Sequence, residues 1–188
     1  NSVRNITGCP YAGISPSEIF DVTPYAEATT RYFLRHPLSG VLPRKFKIAF
    51  EGCATDHVMT GINDLGFRAR LGPSGERGFR VTAGGGTAIL CTSGTVLCEF
   101  LPAAAILECG EAVVRVFHRF GDYKHRQRNR MKFMIKDIGW ERFIEAFEDA
   151  RRDVRDEARR RGEADGLRLP FDPESPQVEE APDWTRGS

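Results

Sequence analysis

Leu42-Pro43-Arg44-Lys45-Phe46-Lys47-Ile48-Ala49-Phe50 is the stretch on which the reading of this chain turns. Side chains alternate between faces along a β-strand, so Phe46, Ile48 and Phe50 share one apolar face that must pack on a core. Lys45 and Lys47 share the other face with Ala49. Two ammonium groups one pleat apart repel each other unless an anion lies between them. Pro43 stands at the strand entrance, where no ladder N–H is lost. Taken alone, the stretch also fits a solvated strand whose lysines blunt a sheet edge. The rest of the sequence decides between the two.

Towards the N-terminus, residues 2–8 read as a short strand running into a turn at Gly8-Cys9-Pro10. A loop punctuated by Pro16, Asp21 and Pro24 leads to a helix with Thr23 as its predicted N-cap and Pro24 at its first position. That helix carries Tyr25, Ala28, Tyr32 and Phe33 inward and stops before Pro37. Towards the C-terminus, residues 52–63 read as a loop with a helical turn, and 65–70 as a strand. Residues 72–78 read as a hairpin turn, and Phe79–Ala83 as a strand ending in Gly84-Gly85-Gly86. The segment Val96–Phe100 runs into Pro102, which suits the first turn of a helix over 102–119. Gly121-Asp122 ends that helix, and the basic stretch His125–Lys132 opens the next, broken by Gly139. A last helix from Trp140 buries Phe143, Phe147, Ala150 and Val154. Beyond Val154 the apolar stripe fades, which predicts a helix end projecting into solvent. This order predicts an α+β domain over 1–162, with helices against one sheet, and a charged, proline-containing linker over 163–188.

Composition narrows the function. The 188 residues carry a net charge of only +1, so no global field advertises a nucleic-acid partner. No apolar run approaches the length of a membrane span, and the start at Asn1 reads as a piece of a longer chain. Cys9, Cys53, Cys91, Cys98 and Cys109 are odd in number and irregular in spacing, which argues against a secreted disulfide framework. Reduced thiols in a cytoplasmic protein are the expectation. Asp56 and His57 beside Cys53 offer metal-ligand atoms, but their spacing matches no familiar ligand pattern, so no metal site is assigned.

Four features converge on an anionic ligand. Arg4 cannot lose its charge and so can only bind or orient an anion. Lys45 and Lys47 offer what an arginine cannot, because an ammonium crowded by other cations becomes a usable proton donor. Gly84, Gly85 and Gly86 let backbone approach a bulky ligand with no Cβ in the way. Arg126, Arg128, Arg130 and Lys132 sit near a predicted helix start, where the macrodipole favours a compensating anion. The triple glycine does not continue as G-x-G-x-x-G, so a dinucleotide site is poorly supported.

In order, Val3–Pro10, Leu42–Lys47, Gly78–Val81 through Gly84–Gly86, and Gly121-Asp122 through Arg126 to Lys132-Phe133 resemble the siroheme-dependent nitrite and sulfite reductases. The resemblance implies the mixed or antiparallel sheet with packed helices of that family's siroheme domain, first half only. It implies siroheme coupled to a [4Fe-4S] cluster, and six-electron reduction of nitrite to ammonia or sulfite to sulfide. By the same resemblance, Arg4, Lys45 and Lys47 match the basic residues over the substrate face of the siroheme. Arg44 matches a residue pairing with its carboxylates, and Arg126, Arg130 and Lys132 fall in a matching basic motif. Gly84–Gly86 would border the macrocycle. The family's cluster ligands follow a C-x5-C…C-x3-C pattern that this sequence lacks, and Gly13 stands where a second cysteine would follow Cys9. The ligands are therefore expected on a second half, with a ferredoxin or flavoprotein as electron donor. The alternatives are a non-catalytic polyanion-binding module, or a folded fragment without activity of its own.

Overall fold

Phe46–Glu51 form β2, the second strand of a five-stranded mixed sheet in the computed structural model, which describes residues 2–163 and 166–174. Strands β1 (Val3–Gly8), β2, β3 (Leu65–Leu71), β4 (Arg77–Ala83) and β5 (Thr95–Pro102) lie side by side in chain order. The β1–β2 and β2–β3 pairs are parallel, whereas β3–β4 and β4–β5 are antiparallel. A parallel pair cannot be joined by a tight hairpin, and α1 (Thr23–Leu34) makes the crossover between β1 and β2. From β2 to β3 the chain returns through a loop with a 3-10 turn at Thr60–Ile62. The α+β arrangement is the one expected from the sequence.

Alternation along β2 works as predicted on its apolar face. Phe46, Ile48 and Phe50 are all fully buried. Phe50 stacks on Phe67 of β3 with ring centroids 4.7 Å apart, and Phe79 of β4 meets both edge-on at 5.8 Å. Tyr25 of α1 closes on Phe79 at 5.2 Å, and Phe46 faces Phe117 of α2 (Ile106–Phe120). Burial of each such aromatic side chain contributes roughly 1.5–3 kcal/mol, so this face commits the sheet to its helical layer.

The starts of the helices differ from expectation in three places. Thr23 is already helical and does not cap α1; Asp21 Oδ1 accepts the Thr23 N–H at 2.8 Å, taking one of the orphan donors. Pro102 ends β5 rather than opening a helix, and a 3-10 turn at Ala103–Ala105 intervenes before α2. The basic stretch mostly precedes α3 (Met131–Ile138), with Arg130 at its N-cap. Gly139, at φ +85°, separates α3 from α4 (Trp140–Arg160).

The end of α4 does not project into solvent. Ala158 is fully buried, and charged side chains dock the helix on α2. Arg151 and Arg155 both donate to the buried Glu108 carboxylate, at 2.9 and 2.8 Å. Arg115 grips Glu157 through two hydrogen bonds of 2.8 and 2.7 Å and Glu111 through a third of 2.6 Å. Residues 166–174, expected as linker, run back over the domain. Leu167, Leu169 and Phe171 pack on the core, and the Tyr25 hydroxyl donates to the Pro173 carbonyl. The rest of the expected linker, residues 164–165 and 175–188, lies outside the described residues.

Candidate functional site

At the mouth of β2 the chain gathers cations. Arg44, Lys45, Arg126, Arg130 and Lys132 line one cavity of about 210 Å³, together with Ala88, Ile89, Gln127 and Phe133. No carboxylate is in that lining. Two segments distant in sequence meet here because Asn129 is buried and donates its amide N–H to the Pro43 carbonyl at 2.9 Å. That bond ties the basic turn before α3 to the entrance of β2.

The five cations are not equivalent. Arg130 is committed within the protein: its guanidinium makes three contacts of 2.9–3.2 Å with the fully buried Asp64. The second Asp64 oxygen also accepts the Lys47 backbone N–H at 3.0 Å. The anion compensating this basic turn is therefore partly the chain's own. Lys132 is buried, and its ammonium donates to the carbonyls of Ala88 and Leu90 at 2.5 and 2.6 Å, holding the loop after the triple glycine against the cavity. Burial, followed by the neighbouring Arg130 charge, keeps the Lys132 ammonium below the usual lysine range. Arg44, Lys45 and Arg126 form no ion pair or side-chain hydrogen bond with the described residues. These three face the cavity with their charge unspent.

Lys45 is crowded by other cations. Lys47 first, then desolvation, then Arg130, Arg4 and Arg44 hold its ammonium below the ordinary lysine value of 10.5. Lys47 and Arg4 do not line the cavity. Arg4 sits where the β1–β2 register shifts between Val3 and Asn5, and it borders a separate hollow of about 560 Å³ with Thr30, His36 and Gly40. It acts on Lys45 through its field rather than by contact.

The glycines have an internal use. A Cβ on Gly85 would lie 2.1 Å from the Gly61 carbonyl oxygen, and one on Gly84, whose φ is +86°, would lie 2.8 Å from Ile135. A Cβ on Gly86 would press on Lys132 at 3.1 Å. The close approach they permit is to the chain itself, and it seats the Lys132 loop beside the cavity. Asp64, the anion that organises the site, carried no signal in the sequence. Asp56 turns away to accept hydrogen bonds from Thr60, but His57 and Cys53 meet Cys9 and Glu51 elsewhere on the sheet.

Comparison with known proteins identifies the family. The family model described as "Nitrite and sulphite reductase 4Fe-4S domain" matches residues 1–153. The chain is 32% identical over 148 residues to a ferredoxin–nitrite reductase of Leptolyngbya laminosa, covering 76% of this chain and 29% of that one. It is 32% identical over 145 residues to a ferredoxin sulfite reductase of Mycolicibacterium paratuberculosis, covering 77% and 26%. The structure of the Mycobacterium tuberculosis NirA protein superposes with a TM-score of 0.73 at 30% identity, covering 81% of this chain and 28% of that chain. The chain thus spans less than a third of the length of these relatives.

Proposed function

Because the chain belongs to the nitrite and sulphite reductase family, we propose that it is the siroheme-cradling module of a reductase whose substrate is nitrite or sulfite. The observation that carries this reading is the carboxylate-free cavity with three uncommitted cations. Siroheme is a polycarboxylate, and a charge-assisted pair with arginine is the strongest contact such a rim can find. The donor set therefore fits the group. At about 210 Å³ the cavity is smaller than the ~300–1,000 Å³ of a pocket that encloses a ligand, so it suits one edge of a macrocycle. This chain supplies a wall.

Arg44 and Arg126 would hold the carboxylates, with Arg130 and Lys132 setting the shape and field around them. When bound, the siroheme and its [4Fe-4S] cluster would supply the electrons for six-electron reduction. The chain's own part is charge and protons. Lys45 holds a proton at Nζ that neighbouring cations make easier to give up, and Lys47 and Arg4 add fixed positive potential for an oxyanion. Among the described residues Cys9 and Cys53 meet His57 and Glu51 rather than further cysteines. Cluster ligands would come from the rest of the polypeptide. Both relatives are named for ferredoxin, which supports ferredoxin over a flavoprotein as the donor.

The test is spectroscopic. The full-length polypeptide containing this segment, purified anaerobically, is expected to show siroheme absorption bands and the electron-paramagnetic signal of a reduced cluster. A folded full-length protein lacking both would overturn the assignment.

A further inference from the structure

At the far end of β2 from the cations, four potential ligand side chains converge. Cys9 follows the last residue of β1, Glu51 ends β2, and Cys53 and His57 lie in the loop beyond. Gly8 pairs with Phe50 in the parallel register, so Cys9 and Glu51 emerge side by side. Glu51, Cys53 and Cys9 are buried, and the His57 side chain is 27% exposed, giving the cluster an opening to solvent. The ligand atoms all lie within 4.8 Å of one another.

Three of their separations are those of a coordination shell, and the others, within 4.8 Å, would close on binding. Zn–S bonds of about 2.3 Å and Zn–N bonds of about 2.0 Å at tetrahedral angles put two sulfurs about 3.8 Å apart, and sulfur about 3.5 Å from nitrogen. The two Sγ atoms are 3.8 Å apart, Cys9 Sγ is 3.6 Å from His57 Nδ1, and that nitrogen is 3.5 Å from Glu51 Oε2. We propose that Cys9, Cys53, His57 and Glu51 form a mononuclear site for a borderline-soft divalent cation, zinc, clipping the carboxyl ends of β1 and β2. Thiolate and imidazole in tetrahedral array favour zinc over the oxygen-seeking cations. Donors this closely spaced surround one ion; a four-iron cube needs them wider apart.

The site is pre-organised by Glu51. Its carboxylate accepts the backbone N–H groups of Cys53, His57 and Val58 at 2.9, 2.6 and 3.2 Å, folding the loop over the strand end. A carboxylate has about four lone-pair sites; three take N–H donors and the fourth meets the Cys9 thiol, whose departing proton frees it for a metal. The His57 ring is held edge-on by Tyr11 at 4.9 Å. On binding, Zn²⁺ takes the two thiolates and the two thiol protons leave to solvent, with no redox change.

Zinc is silent in the visible spectrum, so the test is independent of siroheme. Full-length protein purified under reducing conditions is analysed for zinc by mass spectrometry and by zinc-edge X-ray absorption. One zinc per chain with a sulfur shell near 2.3 Å is expected. His57→Gln, which alters the most exposed ligand, is expected to lower zinc affinity at least about tenfold with the far-ultraviolet dichroism unchanged, whereas Cys91→Ser, at an exposed thiol, is expected to retain it. Folded protein without zinc after dialysis against micromolar zinc, or zinc with only oxygen and nitrogen neighbours, would overturn the proposal. So would a Cys9–Cys53 disulfide that persists under reduction.

Discussion

Lys45 shows how neighbours set the electrostatics of one side chain. Its position just before β2 leaves the ammonium at the cavity, and Lys47, two residues on, is the largest influence holding its pKa down. A group with a depressed pKa is fully protonated below that value and loses its proton as pH rises through it. A reaction that draws a proton from Lys45 therefore declines on an alkaline limb below the ordinary lysine range. Lys47→Met removes the chief repulsion, so the limb is expected to move to higher pH even as the lost charge weakens anion binding. A pH–rate profile of the full-length enzyme checks this; an unmoved limb would separate Lys45 from the proton supply. The alternation of Lys45 and Lys47 was legible from six residues. That Arg130 spends itself on Asp64 was not, because an ion pair between residues 66 positions apart leaves no local pattern.

At the scale of elements, the strands and α1 were readable because period and turn chemistry agree. Gly75 at φ +83° punctuates the β3–β4 hairpin, and Pro24 stands in the first turn of α1. Pro102 misled because a proline suits the end of a strand as well as the first turn of a helix. The end of α4 misled for a different reason: its inward face is charged. Glu108, 6% exposed, accepts both Arg151 and Arg155, so these arginines are docking groups rather than a solvated surface. Removing one partner of such a set leaves the others poorly paired. Glu108→Ala is expected to cost about 2–3 kcal/mol in urea unfolding. Arg159→Ala, whose side chain is 63% exposed beside Asp156, is expected to change stability by less than about 0.5 kcal/mol. Equal effects from the two substitutions would refute the docking role.

In the whole molecule, one sheet separates two chemistries along β2. The entrance carries unspent positive charge, and the exit, about 20 Å away over the six residues from Lys45 to Glu51, carries thiols, imidazole and a carboxylate. The cationic end was visible in the sequence as clustered Arg and Lys. The sulfur end was not, because residues 9 and 53 are neighbours only through the parallel pairing of β1 with β2. The central proposal rests on the cationic end: that Arg44 and Arg126 would bind the carboxylate edge of a siroheme. The most direct measurement is siroheme content per chain, by absorption after extraction, in full-length Arg44→Gln and Arg126→Gln variants whose circular dichroism matches the parent. Each substitution removes a charge-assisted contact worth roughly 1.5–3 kcal/mol, so siroheme retention is predicted to weaken at least about tenfold. Siroheme retained at the parental stoichiometry and affinity in both variants would contradict the account.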